Sequence, residues 1–144
     1  MLRLATPTDL AGIDALLRGA RLPSSGITEH VGTFIVFESS GSIDGVGGLE
    51  ICGPHALLRS LAVAPAFRGR GIAASICDHL ETMAVNRGVE QLYLLTETAE
   101  RYFMKRGYAV TARSEAPSAI ASTEEFTTLC PQFAIMMRRS AQGR

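Results

Sequence analysis

The chain has no surplus charge of either sign: its 14 lysines and arginines are matched by 14 aspartates and glutamates. This balance excludes a surface built for nucleic acid or an anionic membrane, which needs a concentrated basic excess. Cysteine is scarce and odd in number. Cys52, Cys77 and Cys130 show no C-x-x-C spacing, which argues against a disulfide framework or a zinc site and for a reduced, cytoplasmic protein. His30, His55 and His79 lie far apart in the sequence, so a metal cluster has no local support and no metal is expected. No apolar run approaches the ~20 residues of a membrane span. Met1-Leu2-Arg3 leads into a strand-like segment and not a signal peptide. Repeats and low-complexity segments are also missing.

What is present is enough to build a core. Hydrophobic residues make up 47% of 144 positions and the mean hydropathy is +0.17, which places residues 1–144 among single globular domains. The most informative stretch runs from Leu57 to Ala73. A mostly apolar strand over 57–63 meets a turn at Ala64-Pro65 and then an Arg/Gly loop. A helical pattern over 71–86 follows, with Ile72, Ile76, Leu80, Met83 and Ala84 on one face. A helix starting there offers backbone N–H groups without intrahelical partners, and its dipole favours a phosphate. Gly69 and Gly71 keep side chains out of the way, and Arg68 and Arg70 add attraction. The run Gly69-x-Gly71-x-x-Ala74 also fits a dinucleotide fingerprint. Five residues separate it from Val63, however, where a Rossmann turn needs its glycine at the strand's end.

The rest of the chain frames this stretch. Leu2–Ala5 reads as a strand, and Thr6, Pro7 and Asp9 as the cap, first position and third position of a helix carrying Leu10, Ile13, Leu16 and Leu17. Gly19–Gly26 breaks that helix, with a short loop or second helix after it. Residues 33–38 and 45–51 read as a hairpin, turned into the central strand by Gly53-Pro54. Arg87-Gly88 caps the long helix, residues 91–95 form a short buried strand parallel to that of 57–63, and Thr96 or Thr98 caps a further helix that ends at Gly107. Tyr108–Ala112 reads as strand, Pro117–Leu129 as a helical excursion and Phe133–Met137 as the last strand, with Ser140–Arg144 a frayed tail.

Arg68-Gly69-Arg70-Gly71-Ile72-Ala73 resembles the acetyl-CoA-binding signature Q/R-x-x-G-x-G/A of the GNAT superfamily of N-acetyltransferases. Ala99-x-x-Tyr102-Phe103-Met104-Lys105-Arg106-Gly107-Tyr108 resembles the family's second signature, at the expected distance. The two signatures in this order, with the strand and helix between them and the meander before them, cover nearly the whole chain. They imply an α/β (α+β) fold, with a mixed central sheet of about seven strands flanked by about four helices. The segments 57–63, 92–96 and 116–131 look like the arsenic-resistance-associated N-acetyltransferases, a branch related to amino-acid acetyltransferases. That likeness implies a small amino-acid-like amine acceptor and a role in arsenic or xenobiotic resistance. The three cysteines by themselves do not show arsenic.

The resemblance implies acetyl-CoA as co-substrate, with its pyrophosphate on the Gly69–Ala73 amides. It places the thioester carbonyl on main-chain N–H groups of Leu61, Ala62 and Val63, and Tyr102 beside the cofactor. An acceptor α-amino group, with a pKa of about 8, must lose a proton. Glu50 is the first carboxylate candidate and Glu97 a weaker one, each equally readable as a solvated acid. The family's usual tyrosine position holds Phe103, and Thr96 stands where the family often has Asn. Thiolate protonation therefore falls to water, Ser60, Thr96 or no dedicated acid. Arg59, a charge inside an apolar strand, should meet either a protein acid such as Glu50 or a substrate carboxylate, and pairing with Glu50 would weaken that acid as a base. Ile120, Phe126 and Cys130 are expected to wall the acceptor pocket. Three functions stay open: a small-molecule N-acetyltransferase, a catalytically idle acyl-CoA-binding sensor, and a protein N-acetyltransferase. The strands at the ends of the sheet could support a homodimer.

Overall fold

The computed structural model describes residues 1–129 and 132–142. Seven strands form one sheet in the order β1-β2-β3-β4-β5-β7-β6. The chain divides into two compact units, one made of Met1–Glu50 and Leu58–Glu81, the other of Ile51–Leu57 and the residues from Thr82 onward.

In the first unit, β1 (Leu2–Leu4), β2 (Phe34–Ser39) and β3 (Ser42–Cys52) form an antiparallel meander, with Arg3 opposite Val36 and Val36 opposite Val46. A 3-10 turn (Pro7–Asp9) precedes α1 (Leu10–Gly19). The Thr6 N–H donates to Asp9 Oδ2 at 2.8 Å, the expected helix-start chemistry placed one turn earlier than the α-helix itself. Ile13 and Leu17 are fully buried and Leu10 and Leu16 partly so, in a core shared with Ile27, Phe34, Val36, Val46 and Ala62. A short second helix, α2 (Ile27–His30), starts after Gly26, whose φ of +81° suits glycine.

The long helix α3 (Ile72–Asn86) begins in this unit and packs against the glycines of β3. A Cβ on Gly47 would lie 2.7 Å from Ile76 Cγ2 and 3.1 Å from Leu80 Cδ1, and one on Gly45 would lie 3.2 Å from Ile72 Cγ2. Residues two apart on a strand share a face, so these glycines let the helix backbone approach β3 closely. Gly48 points the other way, and a Cβ there would run into the Phe34 ring.

In the second unit, β4 (His55–Val63) begins with its residues 55–57 parallel to β5 (Gln91–Thr96), His55 opposite Gln91 and Leu57 opposite Tyr93, and it continues from Leu58 in the first unit. The strand β7 (Ile135–Ser140) lies antiparallel to β5, with β6 (Ala109–Thr111) antiparallel to β7 on its other side. Two short helices, α4 (Glu100–Lys105) and α5 (Ser118–Ala121), and a π-helical turn (Glu125–Leu129) complete it. The core here gathers Leu57, Tyr93, Ile120 and Met136. The end of α3 closes as expected, Gly88 taking φ +80° while Val89 N–H reaches back to the Ala84 carbonyl at 2.9 Å.

Two expectations are corrected. The last strand is Ile135–Ser140 and not Phe133–Met137; Phe133 is 76% exposed. Register with β5 draws Arg138 and Arg139 into the ladder, and Arg139 Nη1 donates to the Arg106 carbonyl at 2.8 Å. Nor does the tail fray from Ser140: Ala141 is buried and its N–H donates to the Glu90 carbonyl at 2.9 Å.

Candidate functional site

The strand β4 changes character at Ser60. This residue takes φ +60°, a left-handed backbone that a non-glycine residue rarely adopts, in the middle of a nine-residue strand. Such a kink breaks the regular course of the strand just before Leu61. Backbone strain held inside a strand is a feature of functional sites.

The Ser60 kink adjoins a buried charge cluster. Arg59 is 3% exposed, and each of its nitrogens has a partner within the protein. Nη1 donates to Glu50 Oε1 at 2.7 Å, Nη2 to the Ser25 carbonyl at 2.8 Å and Nε to Ser60 Oγ at 2.9 Å. Of the two partners expected for Arg59, the structure shows the protein acid. The other carboxylate oxygen, Glu50 Oε2, lies 3.6 Å from His30 Nε2. The Glu50 side chain is 8% exposed and that of His30 34%. Four segments thus meet: the loop before α2 through Ser25, α2 through His30, β3 through Glu50 and β4 through Arg59 and Ser60. His30 and Ser25 carry no signal in the sequence, since nothing local says that a four-residue helix will be folded onto Glu50.

At the end of β4 the Arg/Gly loop is as open as an anion requires. Gly69 and Gly71 both have φ +78°, and a Cβ at either would meet nothing within 4 Å. The first bond of the α3 ladder is Ser75 N–H to the Gly71 carbonyl at 3.0 Å, so the amides of Ile72, Ala73 and Ala74 precede it. The arginines shape the loop: Arg68 Nε donates to the Val63 carbonyl at 3.1 Å, and the Arg70 guanidinium sits 5.1 Å from the centre of the Phe67 ring. Open space, convergent amides and a 15-residue helix dipole fit a diphosphate, and so fit the nucleotide end of acetyl-CoA.

The second unit holds the other residues singled out from the sequence. Thr96 Oγ1 accepts the Ala99 N–H at 2.9 Å and holds the turn into α4. Glu97 is exposed. Phe103 is buried, edge-on to both Tyr102 at 5.2 Å and Tyr108 at 5.5 Å, while Tyr102 is 36% exposed. Ile120 is fully buried in the core, and Phe126 is stacked under the Arg113 guanidinium at 4.6 Å. Cys77 is buried and Cys52 half-buried; Cys130 lies outside the described residues. Among the described residues no group of His, Cys, Asp and Glu is arranged to hold a metal ion, and no helix is long and apolar enough to cross a membrane.

Known proteins place this arrangement. The solved N-acetylglutamate synthase of Neisseria gonorrhoeae, complexed with coenzyme A and N-acetyl-glutamate, superposes with a TM-score of 0.85 at 20% identity, over 98% of this chain and 35% of that one. A Mycobacterium tuberculosis protein solved in complex with CoA gives 0.82 at 21% identity, over 97% of this chain and 98% of that one. An amino-acid acetyltransferase of Ralstonia nicotianae is 30% identical over 116 residues, 74% of this chain. The chain spans only about a quarter of that relative's length, 26%. The model of the Acetyltransferase (GNAT) family matches residues 14–108, a span that contains the glycine loop, the Ser60 kink and the Glu50–Arg59 cluster. The chain is therefore a member of the GNAT family of acetyltransferases.

Proposed function

We propose that residues 1–144 act as one N-acetyltransferase domain that moves the acetyl group of acetyl-CoA to the amine of a small amino-acid-like acceptor. The observation that carries this reading is the open loop at Gly69 and Gly71 on the first turn of α3. Acetyl-CoA supplies an activated thioester acyl group. The chain supplies the remainder: amides of Ile72, Ala73 and Ala74 with Arg68 and Arg70 for the diphosphate, and the amides after Ser60 for the thioester oxygen. Donors already aimed at developing charge are worth roughly 3 kcal/mol each at comparable sites.

The acceptor class follows from the relative: the Ralstonia nicotianae protein is an amino-acid acetyltransferase. Arg59 and Glu50 neutralise one another, so Arg59 acts on the acceptor through the cluster it holds in place. An acceptor bearing arsenic or phosphorus on an amino-acid frame falls in the same class and would give the enzyme a part in resistance to such compounds.

Acetyl-CoA turnover, read by release of free thiol, tests this across amino acids, phosphinic and arsenic-bearing analogues, small amines and peptides, alongside direct acetyl-CoA binding. Turnover with one carboxylate-bearing amine is the expected result. Tight binding with no turnover would replace the enzyme by an acyl-CoA sensor, and turnover on peptides alone would make it a protein acetyltransferase.

A further inference from the structure

The cluster beside β4 contains one titratable group that nothing above has used. Resting on the acetyltransferase reading, we infer that His30 is the group that takes the proton from the acceptor ammonium, with Glu50 as its buried counter-charge. Glu50 itself is badly placed for that task. Its Oε1 accepts the Arg59 guanidinium at 2.7 Å, its Oε2 is turned to His30, and its side chain is 8% exposed. A proton acceptor must come within hydrogen-bond reach of the substrate, and here the reachable group is the imidazole, with a third of its surface open.

The fold holds that imidazole where it is. Ile27, one helical turn before His30 on the same face of α2, is buried in the core of the first unit. The Thr33 hydroxyl bridges the His30 carbonyl at 3.0 Å and the Leu49 carbonyl at 2.6 Å, tying the end of α2 to the residue next to Glu50. The charged groups set against the ring are Glu50 from β3 at 3.6 Å and, behind it, Arg59 from β4. A carboxylate at that distance offsets the positive charge that the ring acquires on protonation. The Arg59–Glu50 pair in turn ties the ring to β4, where Arg59 Nε donates to Ser60 Oγ at 2.9 Å and Ser60 immediately precedes Leu61.

The step is a simple transfer. One N–H bond of the acceptor ammonium breaks, its electron pair stays on nitrogen as the nucleophilic lone pair, and the proton forms a bond to an imidazole nitrogen. The imidazolium then returns the proton to water through its open edge.

Four measurements test it on the intact chain. The variant His30→Gln should lower kcat/KM about 100-fold, the usual worth of a positioned base, with acetyl-CoA affinity unchanged as proof of folding. Its pH profile should lose the acidic limb that an enzyme base contributes while keeping that of the acceptor amine. Added imidazole should restore turnover to His30→Ala. Without acetyl-CoA, titration of the wild-type chain with the acceptor amine should move the His30 ring resonances and leave those of His55 and His79 in place. Wild-type turnover with His30→Gln within twofold of it, or His30 resonances unmoved by the acceptor, overturns the assignment alone. A wild-type chain that turns over no amine overturns the acetyltransferase reading and this assignment with it.

Discussion

Arg59 and Glu50 form a buried ion pair, Nη1 to Oε1 at 2.7 Å, with side chains only 1% and 8% exposed. A pair so deep is retained less for net stability than because breaking it is costly. Removal of one partner leaves an uncompensated charge in a poorly polarisable interior. Arg59→Ala should therefore destabilise the fold by about 3 kcal/mol in urea unfolding. The double variant Arg59→Met with Glu50→Leu should recover most of that loss, because no orphaned charge remains. A rise in acceptor KM with stability unchanged would instead assign the guanidinium to the acceptor.

The glycine loop gives a prediction about affinity. Gly71→Asp puts a side chain and a negative charge into the open space in front of α3, and φ +78° adds about 1 kcal/mol of backbone strain. Acetyl-CoA affinity measured by calorimetry should fall at least about 30-fold, since a repelled charge and lost amide contacts together exceed 2 kcal/mol. Full affinity in a folded Gly71→Asp variant would place the diphosphate elsewhere.

Close approach of α3 to β3 predicts a stability effect without loss of any polar contact. In Gly47→Val, the new Cβ starts 2.7 Å from Ile76 Cγ2, and neither Ile76 nor Leu80 has exposed volume to retreat into. Overpacking of this kind costs about 1–3 kcal/mol, and thermal unfolding should show it. Ile76→Ala in the same background should relieve part of the cost, because it removes the atoms in the way.

Acid sensitivity should originate partly at the start of α1. Arg3 donates to both Asp9 oxygens, at 2.8 and 2.9 Å, and the Thr6 N–H adds a third bond at 2.8 Å. The Arg3 bonds foremost, opposed by burial and helped by Thr6, hold the Asp9 carboxyl well below the usual carboxylate range. A depressed folded value means that the unfolded chain binds the proton first. The stabilisation is therefore complete above the ordinary aspartate value of about 3.9 and drains away as pH falls below it. Asp9→Asn should flatten the pH dependence of stability in that acidic window and leave its shape near neutrality unchanged; an identical acid limb in the variant would exclude Asp9 as a source.

The two signatures behave differently when compared with the structure. Arg68–Ala73 could be read residue by residue because its chemistry is local: glycine at positive φ, a strand on one side, a helix start on the other. The helix start at Thr6 and Asp9 and the helix end at Gly88 were legible for the same reason. The last strand was not, because Arg138 and Arg139 do not look like strand interior until β5 and β6 pair on either side of them. The three glycines of β3, at 45, 47 and 48, read in sequence only as part of a hairpin strand, whereas in the fold they are the surface on which α3 and Phe34 pack.

Local sequence alone carried the Arg/Gly loop between a strand and a helix start, the order of strands and helices around it, and one arginine set in an apolar strand. Only the tertiary structure decided what that arginine meets. Side chains alternate faces with every residue of a strand, so the meeting of Arg59, Glu50, Ser25 and His30 depends on how β3, β4 and α2 are packed together. Long-range packing, with no local pattern to record it, turned an isolated histidine at the end of a four-residue helix into a neighbour of a buried carboxylate.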